Sequence, residues 1–344
     1  MKKNLKLVPM LLCICLFAAF ALGSGSSDSD SSEPVKVGEV TDAGNTSDSN
    51  TAVNITTENN EPEKNTASST PTPAATNKTE YKVGETFTKD GLNITYVSSG
   101  DWESDNEFIT PAEGKKFIRL LFHVDNQSKS DKSVTSFSFK CYADGYDCSQ
   151  KYNDDDLSAS LSSGRTADGA VYFEVPTDAK EIEVEYEYDI FSDKKVKFIF
   201  EGNNDSGLTF EKNTAVSANA FHVGDIIETK KLKITYLKAA EYKSDNMFLQ
   251  PDEGNKYAYI ELEFENLSDS DQTVSYFSFG CYADGSSCSG FYGMDDALSA
   301  NISAGRKAKG TVAFQVPTDA ATVEFEFEDN FWTESKIVFL YEEK

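Results

Sequence analysis

Apolar and polar residues alternate with a period of two through most of the chain beyond residue 80. Ile118, Leu120, Phe122 and Val124 are separated by Arg119, Leu121 and His123, and Ala258, Ile260, Leu262 and Phe264 by Tyr259, Glu261 and Glu263. The same rhythm runs through Phe137/Phe139/Cys141, Val171/Phe173/Val175, Ile182/Val184/Tyr186/Tyr188 and Val196/Phe198/Phe200. It returns in Phe277/Phe279/Cys281, Val312/Phe314/Val316, Val323/Phe325/Phe327 and Ile337/Phe339. One apolar and one polar face is the signature of a half-buried antiparallel strand, and no long stretch has helical spacing. With the segment 92–97 added, about seven strands fall in each stretch of roughly 120 residues. Two short sheets must then bury their apolar faces against each other. This predicts an all-β chain of two tandem immunoglobulin-like β-sandwich domains, with a small barrel as the alternative because strand order is not readable from one sequence.

The two halves are copies. Leu92-Asn93-Ile94-Thr95-Tyr96 returns as Leu232-Lys233-Ile234-Thr235-Tyr236, and Ser104-Asp105-Asn106 before Phe108 returns as Ser244-Asp245-Asn246 before Phe248. Gly164-Arg165 matches Gly305-Arg306, and Val175-Pro176-Thr177-Asp178 matches Val316-Pro317-Thr318-Asp319. The spacing is 140 up to an Asp-rich loop and 141 beyond it, as a surface loop tolerates. Domain 1 is expected over 81–200, a short polar interdomain linker over 201–220 and domain 2 over 221–344.

The region before residue 81 has a different texture. Lys2, Lys3 and Lys6 precede an apolar run ending at Leu22, the pattern of a secretory signal peptide or N-terminal membrane anchor over 1–23. Ser24 stands where a bacterial lipoprotein would carry its acylated cysteine, which argues against a lipid anchor there. Residues 24–80 hold no aromatic until Tyr81 and are rich in Ser, Thr, Asn and Pro, so a disordered linker is expected. Extracellular or cell-surface localisation follows, with membrane contact only through the N-terminal segment if it is retained uncleaved.

Charge then narrows the function. The chain has 58 acidic and 32 basic side chains, a net of -26. Domain 1 contributes -9 and domain 2 contributes -11, so the acidity belongs to the domains themselves. Such surfaces repel nucleic acid and anionic membranes and attract cations or basic partners. The two histidines, His123 and His222, are not repeated between copies and are expected at the surface. No Gly-rich phosphate loop, His-Glu-X-X-His or Gly-X-Ser-X-Gly is present, so no catalytic residue is assigned and no cofactor is expected.

Three groups of residues carry candidate chemistry. Cys141 and Cys148 flank Asp144-Gly145, and Cys281 and Cys288 flank Asp284-Gly285. A tight turn at Asp-Gly sets each pair opposite one another, so disulfides Cys141–Cys148 and Cys281–Cys288 are expected in an exported protein. Asp144, Asp155 and Asp156, with Asp284, Asp295 and Asp296, are hard oxygen donors on loops that could hold Ca²⁺. They do not follow the twelve-residue calcium loop, and a solvated acidic loop explains them equally. Trp102, Arg165 and Arg306 are candidate binding residues, each arginine either pairing with a local carboxylate or offering its guanidinium to a partner.

The pattern resembles the bacterial DUF4352 family of immunoglobulin-like domains in exported proteins and lipoproteins. The residues that carry it are Val83-Gly84-Glu85 before Leu92-X-Ile94-X-Tyr96, Pro111-X-Glu113-Gly114, Phe137-X-Phe139 with Asp144-Gly145, Gly164 and Val175-Pro176, with their second-copy equivalents. The resemblance implies a cell-surface location and supplies no catalytic residue. A non-enzymatic surface protein presenting two acidic domains to a protein or envelope ligand is the first expectation. A calcium- or carbohydrate-binding accessory module, in some settings enzyme-associated, is the second.

Overall fold

The structure, a computed structural model, describes residues 34–39, 78–104, 106, 108–189, 193–330 and 335–343. The expected export segment, most of the 24–80 linker, Asp105 and Trp332 lie outside the described residues. In domain 1, Thr86–Lys89, Leu92–Trp102, Lys115–Asn126 and Thr166–Pro176 pair antiparallel in that order. The facing sheet runs Lys194–Ile199, Ile182–Asp189, Phe139–Ala143 and Tyr146–Lys151. The far end of Tyr146–Lys151 crosses over to pair with Thr166–Pro176, stitching the two sheets at one edge. Domain 2 repeats this with Asp225–Glu228, Leu232–Tyr242, Asn255–Asn266, Lys307–Pro317 and Ser289–Phe291, faced by Phe279–Ala283, Val323–Asn330 and Ser335–Leu340. Among the described residues no helix is long and apolar enough to cross a membrane.

The alternation does what its period dictates. Ile118, Leu120, Phe122 and Val124 are fully buried, as are Ala258, Ile260, Leu262 and Phe264. Rings from opposite sheets close each core: Phe122 lies 5.2 Å from Phe139 and 4.8 Å from Phe198, and Phe264 lies 5.4 Å from Phe327. Each such ring contributes about 1.5–3 kcal/mol by leaving water.

Four places depart from the expectation. Phe137 and Phe277 belong to the apolar rhythm yet are 70% and 64% exposed. Each sits in a one-turn 3₁₀ segment, capped by Thr135 or Ser275, that rotates it away from the core before the strand begins. His123 is buried rather than superficial, because Phe210 stacks on its imidazole at 3.6 Å and Asp168 lies 2.9 Å from Nδ1. His222 is exposed, 3.2 Å from Glu342. The segment 201–220, expected as a short polar interdomain linker, makes defined contacts with both domains. Asn204–Asp205 adds to the edge of Leu92–Trp102, Ser99 Oγ donates to Gly202 O, and Asn213 N donates to Asp284 O. Within the stretch expected to be disordered, Val35–Glu39 is a strand paired with Asp225–Glu228 of domain 2. Its Val-Lys-Val alternation suits an open sheet edge.

Candidate functional site

The two domains meet where a turn of domain 1 enters the outer face of the second sheet of domain 2. Asn126 prepares that turn: its buried side-chain amide donates to Ser130 O and Leu161 O and accepts from Ser128. Its backbone holds the turn on both sides, Gly164 N donating to Asn126 O and Asn126 N to Arg165 O. Gly164 has φ near 75°, a conformation glycine adopts without penalty. Arg165 therefore leaves the turn in a fixed direction.

Arg165 is 7% exposed. Its Nη2 donates to Glu324 at 2.6 Å and to Glu326 at 2.7 Å, its Nε donates to Glu326 at 2.9 Å, and its guanidinium lies 4.5 Å over the Tyr282 ring. Planar delocalised charge suits such a buried, stacked position better than an ammonium would. Lys336 extends the network, 2.5 Å from Asp131 and 3.7 Å from Glu326, and Ser162 Oγ donates to Glu326. Tyr282 Oη donates to Ser160 O, and Thr166 N donates to Gly285 O. Ser217 N donates to Glu324 at 2.6 Å, so the connecting segment also closes on the cluster. Arg306, the second-copy counterpart of Arg165, is exposed.

Beside this seam lies a cleft of about 850 Å³ with a wall from each domain. Asp131, Asp154, Asp155, Asp156 and Asp168 line it from domain 1; Asp252, Glu326 and Glu328 line it from domain 2, with Lys336 as its one basic residue. Phe277 and Tyr292 supply exposed aromatic surface, while Phe279, Tyr282 and Phe314 lie buried behind it. Burial, followed by the neighbouring charges of Asp155 and Asp154, pushes the Asp156 carboxyl up to about 6. Asp155 is held below the usual range despite an opposing desolvation effect, because Tyr172 and Arg119 donate to it.

The six carboxylates considered as Ca²⁺ ligands do not converge, and among the described residues no three acidic, histidine or cysteine groups form a metal cluster. Each is engaged locally or stands apart. Asp144 and Asp284 occupy positive-φ turn positions and accept the backbone N–H groups of Lys180/Glu181 and Ala321/Thr322. Asp156 accepts from Asn153 N, Asp296 from Thr311 Oγ1, and Asp295 is exposed. Trp102 packs against Tyr172 at 4.6 Å and Phe117 at 5.6 Å.

Cys141 stands directly opposite Cys148 across the Asp144-Gly145 hairpin, and Cys281 and Cys288 flank the equivalent turn. The four cysteines are thiols in this structure, each pair set across its hairpin turn. The Cys148 sulfur is directed to Tyr146 O at 3.5 Å and the Cys288 sulfur to Ser286 O at 3.6 Å. Burial pushes the Cys141 and Cys281 thiols up, which keeps them protonated near neutral pH.

Glu324, Glu326, Lys336 and Tyr282 were not singled out from sequence. Their signal lies in what the copies do not share. On the matching face of domain 1, Glu183 pairs with Lys197, Glu185 with Lys195 and Glu187 with Lys140. In domain 2, Lys140 and Lys197 are replaced by Gly280 and Val338, and the glutamates are left for Arg165.

Fold and seam together define a two-domain all-β protein in which duplicated modules are locked by a buried charge cluster. The chain belongs to the family described as "Domain of unknown function (DUF4352)", whose model matches residues 81–196 and 221–337. Among solved structures it is similar to YcdA of Bacillus subtilis, described as a candidate lipoprotein, at 17% identity and a TM-score of 0.29. That match covers 34% of this chain and only 38% of YcdA. YjhA of Bacillus subtilis matches at 14% identity and a TM-score of 0.28, over 36% of this chain and 98% of its own. An uncharacterized β-sandwich protein of Clostridium difficile matches at 15% identity and a TM-score of 0.26, over 38% of this chain and 99% of its own. No curated protein matches the chain in sequence.

Proposed function

We propose that this is a non-enzymatic exported or cell-surface protein whose two immunoglobulin-like domains bind a cationic ligand with apolar parts, such as a basic peptide segment, in the cleft between them. The observation that carries this reading is the composition of that cleft, where the exposed carboxylates of Asp154, Asp168 and Asp252 and the exposed rings of Phe277 and Tyr292 line about 850 Å³. That volume is within the range of ligand clefts, about 300–1,000 Å³. Carboxylates attract and orient a cation, and aromatic faces add cation–π attraction of about 0.5–2 kcal/mol each. The basic, then apolar, N-terminal pattern supports export.

Calorimetric titration with a Lys/Arg-rich peptide, a matched Glu-rich peptide and a neutral one tests the proposal. Binding of the basic peptide alone is expected, weakening as salt rises from 50 to about 300 mM, where the screening length is short. Asp154→Asn with Tyr292→Ala is expected to weaken it at least tenfold. Absence of binding, or binding that this double variant leaves intact, overturns the reading. Carbohydrate recognition is a second reading, favoured by the exposed aromatic pair present in both copies, Phe137 with Tyr152 and Phe277 with Tyr292. A glycan array distinguishes it.

A further inference from the structure

The carboxylate that opens each domain is held the same way, with one substitution. In domain 1, Glu85 accepts the Lys82 backbone N–H at 2.7 Å and pairs with Lys78 at 2.5 Å. Its domain 2 counterpart, Asp225, accepts the His222 N–H at 3.0 Å, but the residue matching Lys78 is Ala218. The missing cation comes from far back in the chain. Lys36 Nζ lies 2.7 Å from Asp225 Oδ1. With the strand seated, the Asp225 side chain is 5% exposed against 40% for Glu85, so the Lys36–Asp225 pair is the more enclosed of the two. Lys36 rides on Val35–Glu39, which pairs antiparallel along the outer edge of Asp225–Glu228. The matching edge of domain 1, Thr86–Lys89, receives no added strand among the described residues.

We propose that the outer edge of Asp225–Glu228, together with the Asp225 carboxylate, is a strand-docking site selective for an extended segment that carries a cation, and that its occupant is this chain's own Val35–Glu39. Backbone pairing provides the attraction, and the Lys36 charge provides the choice of domain 2 over domain 1, whose Glu85 already has Lys78. Connectivity favours the same molecule's segment over a second copy's. The segment is joined to domain 1 of its own molecule through residues 40–77, which raises its effective concentration at the edge over that of a second copy's segment.

Amide hydrogen exchange on the full chain, read by mass spectrometry at two protein concentrations, tests this. Segment 34–39 is expected to exchange at least tenfold more slowly than a free peptide of the same sequence, at a rate independent of protein concentration. Lys36→Glu is expected to abolish that protection and Lys36→Arg to keep it. Ala218→Lys supplies domain 2 with the cation that domain 1 has. It is expected to reduce the protection at least threefold while Asn255–Asn266 stays protected, which separates release of the strand from unfolding. Free-peptide exchange of 34–39 in the unsubstituted chain, or full protection in Lys36→Glu, overturns the proposal. Protection found only at the higher concentration overturns it in favour of a second copy's segment.

Discussion

Replacing Arg165 by methionine is the sharpest test of the seam. The guanidinium makes three contacts of 2.6–2.9 Å to Glu324 and Glu326, whose side chains are 2% and 7% exposed. At an effective dielectric constant of about 20 and a separation of roughly 4 Å, each ion pair has a Coulomb attraction of about 4 kcal/mol. Desolvation of three charges offsets most of that, so the intact cluster is worth little more than a well-packed apolar patch. Removing only the cation is different. It leaves two buried carboxylates with Lys336, 3.7 Å from Glu326, as the nearest compensation, and the cost of such a half-broken pair is about 3–5 kcal/mol. Methionine keeps much of the volume over Tyr282, which limits the cavity contribution. Because the seam can open and rehydrate the glutamates, the loss is capped at the strength of the domain contact. The expected signature is therefore separation of one unfolding transition into two, seen by calorimetry and by urea denaturation. Arg306→Met is the matched control, since its side chain is exposed and a surface substitution of this kind shifts stability by at most about 0.5 kcal/mol. Equal stabilities for the two variants, within that margin, would falsify the role given to Arg165.

Asp156 titrates near 6 in the folded protein against about 3.9 unfolded, so its favourable contribution is complete below pH 4 and is lost as pH rises through 6. Asp156→Asn is expected to raise stability at pH 8 by about 1 kcal/mol, a figure reduced from the full shift because the group is only half-buried, and to change it little at pH 4; urea midpoints at both pH values decide, and a gain independent of pH refutes the assignment. Mild oxidation is expected to close both hairpin cysteine pairs and to stabilise the protein by about 2.5 kcal/mol per eight-residue loop; four thiols still reactive toward maleimide after oxidation and denaturation would refute it. Gly310→Ala places a methyl group 2.7 Å from the Leu298 Cα and is expected to cost about 1–3 kcal/mol, while Gly280→Ala, with its nearest neighbour at 3.6 Å, is tolerated. Thermal melts compare the two, and equal melting temperatures contradict the close approach.

Strand identity was legible because it depends on neighbours one and two residues away. The period of two places Ile118 to Val124 and Ala258 to Phe264 inward, and Asp144-Gly145 and Asp284-Gly285 adopt the positive-φ turns their residue types favour. What was hidden depends on partners remote in sequence. His123 follows the outward parity of its strand, and only the later Phe210 buries it. Arg165 looks like any post-turn arginine until Glu324 and Glu326 arrive from the other domain. The acidic loops left a weak Ca²⁺ reading open beside the solvated one because spacing reports proximity, not partners. Nothing local in sequence says that Asp155 is already engaged by Arg119 and Tyr172.

The differences between the copies explain why the seam forms once and in one direction. Both domains offer an arginine after the same turn and a row of glutamates on the same sheet face. In domain 1 that row is neutralised internally by Lys140, Lys195 and Lys197, so a second arginine arriving there would displace an existing partner and gain little. Domain 2 has lost two of the three lysines, and the glycine at 280 also removes a long side chain from the approach. Its face is left with buried acid beside a single lysine of its own, Lys336, and Arg165 supplies the further positive charge. The same substitution logic recurs at Asp225, where Ala218 removes the local cation and Lys36 replaces it from outside the domain. At both sites domain 2 lacks a lysine that domain 1 has and receives positive charge from another part of the chain, so domain 2 is the copy on which the other segments converge.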